Sequence, residues 1–412
     1  MSEEVIIARE TENVSGTVQI SGAKNSALKL IAATILGQGK STLHNIPHIS
    51  DIEIMNDVIR SLGATVEWDG HSLIIDTEHA EGHDTPYELV SKMRASISVL
   101  GPLVGRFGCA RVAMPGGCKI GARKIDMHLK VLEAMGVEFE NSHGYLYAST
   151  PNGLHSADVL LEFPSVGATE NMLMASVVAP GTSVIDNAAR EPEIVDLANM
   201  LNAMGAHVEG AGTPTITVKG VALSEMHPCE HTTVGDRIEA GTFLTVQGID
   251  PSYLRMALMK LEHMGCDIST TEDSITVSRT QPLRATDIQT LPHPGFPTDL
   301  QAQFMLLASF AEGNSVISEN IFENRFMFAS ELNRMGSRIA VEGHHALVQG
   351  VSKLEGAPVS SPDLRGGAAL VIAGLAAEGE TVVHDIHHID RGYEDYVGKL
   401  HAIGANVERK TL

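Results

Sequence analysis

An eight-residue pattern of apolar and polar positions recurs six times along the chain. It has the form apolar-x-x-apolar-Gly-x-x-apolar and gives IRSLGATV, LEAMGVEF, LNAMGAHV, LEHMGCDI, LNRMGSRI and LHAIGANV. The central glycines lie 60 to 73 residues apart, at Gly63, Gly136, Gly205, Gly265, Gly336 and Gly404. Two apolar residues three positions apart share one face of a helix, and glycine ends a helix because it adopts the left-handed conformation readily. Each copy therefore predicts a helix end followed by a strand.

The residues that follow five of these copies have the pattern of a β-hairpin. VEWDGHSLIID and ISTTEDSITVS, for example, place a polar or glycine-containing turn between two strands. The sixth copy stops at VERKTL and lacks the second strand. The unassigned segment EVIIAR, residues 4–9, can supply it. We therefore expect the N-terminal strand to close the C-terminal lobe.

A second recurring feature is a helix end with glycine before a β-branched strand. It occurs in LGQGKSTLHNI, VAPGTSVIDNA, FAEGNSVISEN and AAEGETVVHDI. Helix and strand thus alternate within every repeat, which predicts an α/β fold of two lobes with three repeats each. We expect residues 1–20 with 235–412 to form the C-terminal lobe and residues 21–234 to form the other. The active site is expected in the cleft between them.

Charge and cysteine content narrow the class of protein. The 412-residue chain has a formal net charge of -22, which argues against nucleic acid or an anionic membrane surface as the main partner. No apolar run approaches the ~18 residues of a membrane span, and MSEEVIIARE lacks a signal-like stretch, so a cytosolic protein is expected. The cysteines show no CxxC pair, so neither a zinc site nor a disulfide framework is indicated.

The segment SGAKNSALKL, residues 21–30, follows a predicted strand and opens a helix. Lys24 and Asn25 would then lie at the helix N-terminus, where free backbone N–H groups and the helix dipole favour an anion. A solvated lysine at an ordinary helix start is the alternative interpretation.

The segment PGGCKIGARKID, residues 115–126, places a thiol on a glycine-rich and locally positive stretch of an acidic chain. Cys118 follows two glycines and precedes Lys119, Arg123 and Lys124. A thiol near its ordinary pKa of ~8.5 can donate a proton at neutral pH, whereas neighbouring cations lower that pKa and favour a nucleophile. The sequence leaves both roles open.

Eight separated motifs resemble, in the same order, the UDP-N-acetylglucosamine enolpyruvyl transferases of the EPSP synthase family. They are SGAKNSAL, MRASI, PGGCKIGARKIDMH, SVGATEN, NAAREPEIVD, HPGFPTDLQAQF, IFENRFM and HIDRGYE. The resemblance spans the chain and implies a two-lobed inside-out α/β barrel, of class α/β (α+β). It also implies transfer of the enolpyruvyl group of phosphoenolpyruvate to UDP-N-acetylglucosamine in peptidoglycan synthesis, by a monomer without a cofactor or metal.

The resemblance further implies roles for individual residues. Lys24, Arg123 and Arg391 would bind the phosphate of phosphoenolpyruvate, Asp299 would be the general base, and Cys118 would complete the catalytic set. The residues implied in binding the sugar nucleotide are Asn25, Arg94, Arg123, Lys124, Ile125, Asp126, Met127, Ser165, Val166, Asp299 and Ile321. Of these, Ile125, Met127 and Ile321 can equally be packing residues or contribute backbone groups.

Two departures and two alternatives accompany this interpretation. Phe163 stands where many relatives have lysine, and Ser50 stands near a position that is often basic.

The sister transferase that acts on shikimate 3-phosphate is one alternative, although it would lack the PGGC segment and would replace GAKN with a serine-rich motif. A non-catalytic sugar-nucleotide-binding regulator is the other, and the joint presence of Lys24, Cys118, Asp299 and Arg391 argues against it.

Overall fold

The computed structural model describes residues 3–90, 93–114, 125–243 and 245–412. These residues divide into two compact units. Of the described residues, 3–21, 235–243 and 245–412 form the C-terminal unit, and 22–90, 93–114 and 125–234 form the N-terminal unit. Among the described residues, no helix is both long and apolar enough to cross a membrane.

The helices alternate along the chain with the strands. Their bounds are α1 Lys24–Ala33, α2 Ser50–Ser61, α3 Tyr87–Val90, α4 Leu100–Phe107, α5 Asp126–Glu133, α6 Val166–Ser176, α7 Pro192–Ala203, α8 Arg237–Ala240, α9 Arg255–His263, α10 Gln301–Ser309, α11 Ala329–Arg334, α12 Leu364–Leu375 and α13 Tyr396–Ala402.

The strands are short, as expected for a chain with many turns. Their bounds are β1 Glu4–Arg9, β2 Val18–Gln19, β3 Lys40–His44, β4 Thr65–Asp69, β5 Ser72–Asp76, β6 Cys109–Ala113, β7 Glu138–Ser142, β8 Tyr145–Ser149, β9 Asp158–Leu160, β10 Thr182–Asp186, β11 His207–Glu209, β12 Thr215–Lys219, β13 Glu230–Thr232, β14 Thr245–Gln247, β15 Asp267–Thr270, β16 Ser274–Ser278, β17 Ile288–Gln289, β18 Asn314–Ser318, β19 Arg338–Glu342, β20 His345–Gln349, β21 Leu354–Glu355, β22 Pro358–Ser360, β23 Ala377–Glu378, β24 Glu380–His384 and β25 Val407–Thr411.

The predicted repeat is confirmed in its local detail. The six central glycines all have a φ between +88° and +104°, which is the left-handed conformation expected after a helix. Antiparallel hairpins follow five of them: β4 with β5, β7 with β8, β11 with β12, β15 with β16, and β19 with β20. In each hairpin the second strand pairs with the strand that follows the repeat's first helix.

The three repeats of the N-terminal unit are joined by parallel pairing. The chain that leaves each hairpin pairs with the first strand of another repeat: β9 with β10, and β13 with β3. An isolated parallel bridge between Asp84 and Arg111 makes the corresponding link to β6. Because β13 comes from the third repeat and β3 from the first, these links close the unit into a ring.

The C-terminal unit follows the same scheme. Its parallel links are β17 with β18, β22 with β24, and β2 with β14. Strand β1 lies between β24 and β25, antiparallel to both, with Ile6 opposite Val383 and Arg409. It occupies the position of the second hairpin strand that the sixth repeat lacks. This ring therefore includes residues from both ends of the chain.

The first helix of several repeats is almost completely buried. In α1 every residue except Asn25 is buried, and α6, α10 and α12 are buried along most of their length. The hairpin strands alternate instead, with one face buried and the other exposed, as in β20. These first helices thus occupy the interior and the sheets lie outside them, as in the predicted inside-out α/β architecture.

Replacing Ile6 by alanine should destabilise the protein by about 2–5 kcal/mol, because Ile6 is 1% exposed in the core of the C-terminal unit. Urea unfolding measures the change. Val341→Ala in β19 is the control, since Val341 is 46% exposed. Equal destabilisation by the two substitutions would contradict the central place of β1.

Candidate active site

The first turn of α1 carries the predicted anion-binding lysine. Lys24 is the first residue of the helix, and its Nζ lies 2.7 Å from Oδ2 of Asp51. Asp51 belongs to the first turn of α2 and is only 2% exposed. A buried carboxylate at this distance fixes the position of the ammonium. Sequence reasoning missed Asp51, because an acidic residue in the first turn of a helix is common.

The chain that leads into α1 requires glycine at position 22. A Cβ atom on Gly22 would lie 1.6 Å from the carbonyl oxygen of Asn45, so no other residue fits without a backbone shift. The backbone N–H of Ala23 donates to the carbonyl of Val234 at 2.7 Å. These contacts fix the backbone just before Lys24 and Asn25.

A buried ion pair supports the same turn from within the unit. Lys29 donates from Nζ to the backbone oxygen of Asn25 at 2.9 Å and lies 3.4 Å from Oε1 of Glu170. Burial raises the pKa of Glu170 to about 7, against the lowering effect of Lys29, and Glu193 and Glu191 raise it further. Glu170 therefore changes its protonation near neutral pH. Glu170 is the one charged residue of α6, and this is the sequence signal that could have indicated it.

The starts of α5 and α6 bring together two more groups of predicted residues. Ile125 precedes α5, which begins with Asp126 and Met127, and Ser165 precedes α6, which begins with Val166. The hydroxyl of Ser165 accepts from the backbone N–H of Ala168 at 3.3 Å, which caps α6.

His128 and Asn171, which were not among the predicted site residues, connect the starts of α5 and α6. A Cβ on Gly167 would lie 2.4 Å from Cε1 of His128, so the imidazole of α5 packs directly on the α6 backbone. The amide of Asn171 lies 2.9 Å from Nδ1 of His128, while its Oδ1 accepts from the backbone N–H of Gly101 at 2.7 Å. The side chain of Asn171 thus fixes α4, α5 and α6 relative to one another.

For several predicted site residues, the backbone or the side chain is not among the parts of the chain that the structure describes. Cys118, Arg123 and Lys124 lie outside the described residues. Arg94 begins a 3₁₀ helix, Arg94–Val99, but its side chain is not among the described ones. Phe163 is 40% exposed.

The C-terminal unit places Asp299 in a cationic environment. Its Oδ1 accepts from Nη2 of Arg325 at 2.5 Å, and its side chain keeps 28% exposure while that of Arg325 keeps 4%. Asp299 is therefore held firmly yet can be reached by a substrate. Sequence reasoning missed Arg325, although it lies in the quoted motif IFENRFM.

A second buried guanidinium contributes to this environment. Burial lowers the pKa of Arg365, yet Tyr393, Asp299 and Asp236 together raise it above its ordinary value. Arg365 is 3% exposed, and its guanidinium lies 5.1 Å from the centre of the Tyr393 ring. Two fixed positive charges near Asp299 favour its carboxylate form.

Ile321 and Arg391 are the other predicted residues of the C-terminal unit. The backbone N–H of Ile321 donates to Oε1 of Glu319 at 2.8 Å, so the segment after β18 has a defined backbone conformation. Arg391 ends the 3₁₀ helix Ile386–Arg391 and is half-buried. Within this unit the structure thus places Asp299 beside the motif that contains Ile321.

Comparison with known proteins agrees with this class of fold. The family model described as EPSP synthase (3-phosphoshikimate 1-carboxyvinyltransferase) matches residues 8–400. The chain belongs to this family of carboxyvinyl transferases. It is 49% identical to the UDP-N-acetylglucosamine 1-carboxyvinyltransferase of Mycolicibacterium paratuberculosis, over 96% of this chain and 97% of that protein. It is 47% identical to UDP-N-acetylglucosamine 1-carboxyvinyltransferase 2 of Staphylococcus saprophyticus, over 96% and 97%.

Two solved structures extend the comparison. The enolpyruvyl transferase NikO from Streptomyces tendae superposes with a TM-score of 0.90 at 26% identity and covers 100% of both chains. EPSP synthase from Acinetobacter baumannii gives a TM-score of 0.72 at 15% identity, over 98% of this chain and 100% of that one, and is similar in fold alone.

Stability should depend on pH through Glu170. Its folded pKa of about 7 exceeds the ordinary 4.5, so between these values the unfolded chain releases the proton first and stability falls as pH rises. The loss is on the order of 3 kcal/mol between pH 4.5 and pH 7. Urea unfolding at several pH values should show that Glu170→Gln removes this slope.

The control for that experiment is Glu209→Gln, which neutralises an exposed carboxylate in β11 of the same unit. It should retain the slope of the wild type. An unchanged slope in Glu170→Gln would show that Glu170 does not titrate in this range.

Proposed function

We propose that the protein transfers the enolpyruvyl group of phosphoenolpyruvate to the 3-hydroxyl of UDP-N-acetylglucosamine and releases inorganic phosphate. This reaction is the first committed step of peptidoglycan synthesis. The observation that carries the proposal is the identity of 47–49% over nearly the whole chain to curated relatives that all bear the name of this enzyme. The described parts of the site have the chemistry that the reaction needs.

Asp299 is the general base in this proposal. Removing the proton of the 3-hydroxyl lets its oxygen form a bond to C2 of phosphoenolpyruvate, while C3 receives a proton. The product is an enol ether, so C3 must lose a proton again as the bond from C2 to the phosphate oxygen breaks. The pair with Arg325 supports this role because it keeps Asp299 ionised and oriented.

Cations bind the anionic substrates. Lys24, at the N-terminus of α1, offers a cation for a phosphate, and Asp51 fixes the position of its ammonium. Arg123 and Arg391 complete this phosphate site in our proposal. The helix starts at Asp126 and Val166 are proposed to bind the sugar nucleotide, together with Asn25, Arg94, Lys124 and Ile321.

Cys118 donates the proton to C3, forms a covalent adduct with phosphoenolpyruvate, or does both. Each role needs a thiol close to the bound phosphate. In the sequence Lys119 follows Cys118 directly, and Arg123 lies five residues after it. A monomer that acts in the cytosol on two small-molecule substrates completes the proposal.

Phosphate release tests the function against its two alternatives. Phosphoenolpyruvate with UDP-N-acetylglucosamine should release phosphate, whereas phosphoenolpyruvate alone or with shikimate 3-phosphate should not. Asp299→Asn should lower kcat by about 10²–10⁴, as expected for loss of a general base. Asp267→Asn in the exposed strand β15 is the control. Release with shikimate 3-phosphate would identify the sister enzyme, and sugar-nucleotide binding without release would identify a regulator.

Cys118 should be alkylated selectively by fosfomycin, a small phosphonate epoxide, and UDP-N-acetylglucosamine should accelerate the reaction. Burial raises the pKa of Cys229 to about 11 and also raises that of Cys266, so both remain thiols at neutral pH and react slowly. Mass spectrometry locates the label. A label on Cys109, Cys229 or Cys266 with Cys118 unmodified would refute the role of Cys118.

Two substitutions separate the chemical roles of this thiol. Cys118→Asp should resist the epoxide, because a carboxylate is the poorer nucleophile, and yet keep some turnover, because a carboxylic acid can deliver a proton. Cys118→Ser should lose most activity, since the hydroxyl has a far higher pKa. Full activity of Cys118→Ser would exclude both proposed roles.

A further inference from the structure

A completely buried carboxylate lies between the candidate base and the segment that contains Ile321. Glu319 directly follows β18 and is 0% exposed. Its Oε1 accepts from the backbone N–H groups of Ile321 at 2.8 Å and Phe322 at 3.0 Å. Its Oε2 accepts from the hydroxyl of Thr298 at 2.9 Å. A buried carboxylate is costly unless it is hydrogen-bonded, and here both oxygens have partners.

The backbone of Glu319 is fixed as well. Its N–H donates to the carbonyl of His344 at 2.8 Å, and its own carbonyl lies 3.1 Å from Nδ1 of His344. On the next residue, the side-chain amide of Asn320 donates to the carbonyl of Thr290 at 3.0 Å. The carboxylate therefore projects from a rigid point of the sheet.

The groups that Glu319 binds are adjacent to the proposed chemistry. Thr298 immediately precedes Asp299 in the 3₁₀ helix Thr298–Leu300. Ile321 is a proposed sugar-nucleotide contact, and Arg325, four residues later, binds Asp299 at 2.5 Å. The turn of Asp299 and the segment 321–325 are thus joined twice, once through Glu319 and once through Arg325.

We propose that Glu319 and Thr298 are positioning residues that set the carboxylate of Asp299 relative to the bound sugar. The inference rests on the proposed function. Loss of the bond from Thr298 to Glu319 removes one of the two links that join the Asp299 turn to the segment 321–325. A displacement of about 1 Å in a catalytic group can lower a rate about 10²-fold, so the loss should appear in kcat.

The geometry requires hydrogen bonds here rather than a charge. A glutamine at position 319 can accept both backbone N–H groups with its oxygen and donate from its amide to the hydroxyl of Thr298. Glu319→Gln should therefore keep most of the activity that Glu319→Ala loses. In the same way Thr298→Ser keeps the hydroxyl, whereas Thr298→Val keeps the shape of the side chain without it.

The test compares kcat and KM for phosphate release in these four variants. Thr298→Val should lower kcat about tenfold and Glu319→Ala about 10²-fold, with KM for phosphoenolpyruvate changed less than about twofold. Thr298→Ser should restore most of the loss seen in Thr298→Val. Ser309→Ala is the control, because it removes a buried 2.7 Å hydrogen bond to Ser337 elsewhere in the same unit. It should lower the melting temperature without lowering kcat.

Amide hydrogen exchange measures the hydrogen bonds from the backbone of Ile321 and Phe322 to Glu319 in the absence of substrate. The N–H groups of Ile321 and Phe322 should exchange faster in Glu319→Ala than in the wild type and in Glu319→Gln. A wild-type protein that releases no phosphate would refute the proposed function. An active wild type with kcat unchanged in Thr298→Val and Glu319→Ala, or lowered equally in Thr298→Val and Thr298→Ser, would overturn the positioning role alone.

Discussion

The parallel pairing between the end of one repeat and the first strand of another is the constraint on which each unit depends. A single repeat has a helix that is apolar on nearly all sides and a sheet with only one buried face. It cannot bury both by itself. Closing three repeats into a ring surrounds the helices with sheets. The ring closes through strands of two or three residues such as β2, β13 and β17, and through the bridge from Asp84 to Arg111.

This arrangement explains where the candidate site residues lie in the chain. The buried helices begin at Lys24 in α1, at Val166 in α6 and two residues after Asp299 in α10. The N-terminal end of a helix favours phosphates and carboxylates through the helix dipole. The polar groups at these starts are supported by carboxylates that are themselves buried, among them Asp51, Glu170 and Glu319. Burying these carboxylates costs stability, and the chain retains them where they orient other groups.

The sequence predicted the repeating part of the fold well, because glycine after a helix and alternation in a hairpin are local signals. The short parallel strands have no such signal: two residues such as Ile288 and Gln289 cannot show a period. The single bridge from Asp84 to Arg111 could not be predicted for the same reason. Ring closure is a property of tertiary structure. Its one local signal in the sequence is that the sixth repeat lacks the second strand of its hairpin.

The residues of the candidate site that lie in recognisable sequence motifs could be predicted, whereas their partners could not. Lys24, Ser165 and Asp299 came from their resemblance to known motifs, and the structure gives them defined partners. Those partners were missed because each has an ordinary local explanation. In the sequence, Asp51 has the position of an ordinary acidic residue in the first turn of a helix, and Glu319 that of an acidic loop residue after a strand. Asn171 has the position of a polar residue on a helix surface, although it is completely buried. Their function depends on what lies opposite them in space.

A crystal structure of the protein with UDP-N-acetylglucosamine bound tests the central claim most directly, because the account assigns one carboxylate to one hydroxyl. We expect the 3-hydroxyl oxygen of the sugar within about 3 Å of the Asp299 carboxylate, which is hydrogen-bond distance for a general base. The contact from Arg325 to Asp299 should persist in that complex. A sugar whose 3-hydroxyl contacts a different carboxylate, with Asp299 facing solvent, would contradict the account.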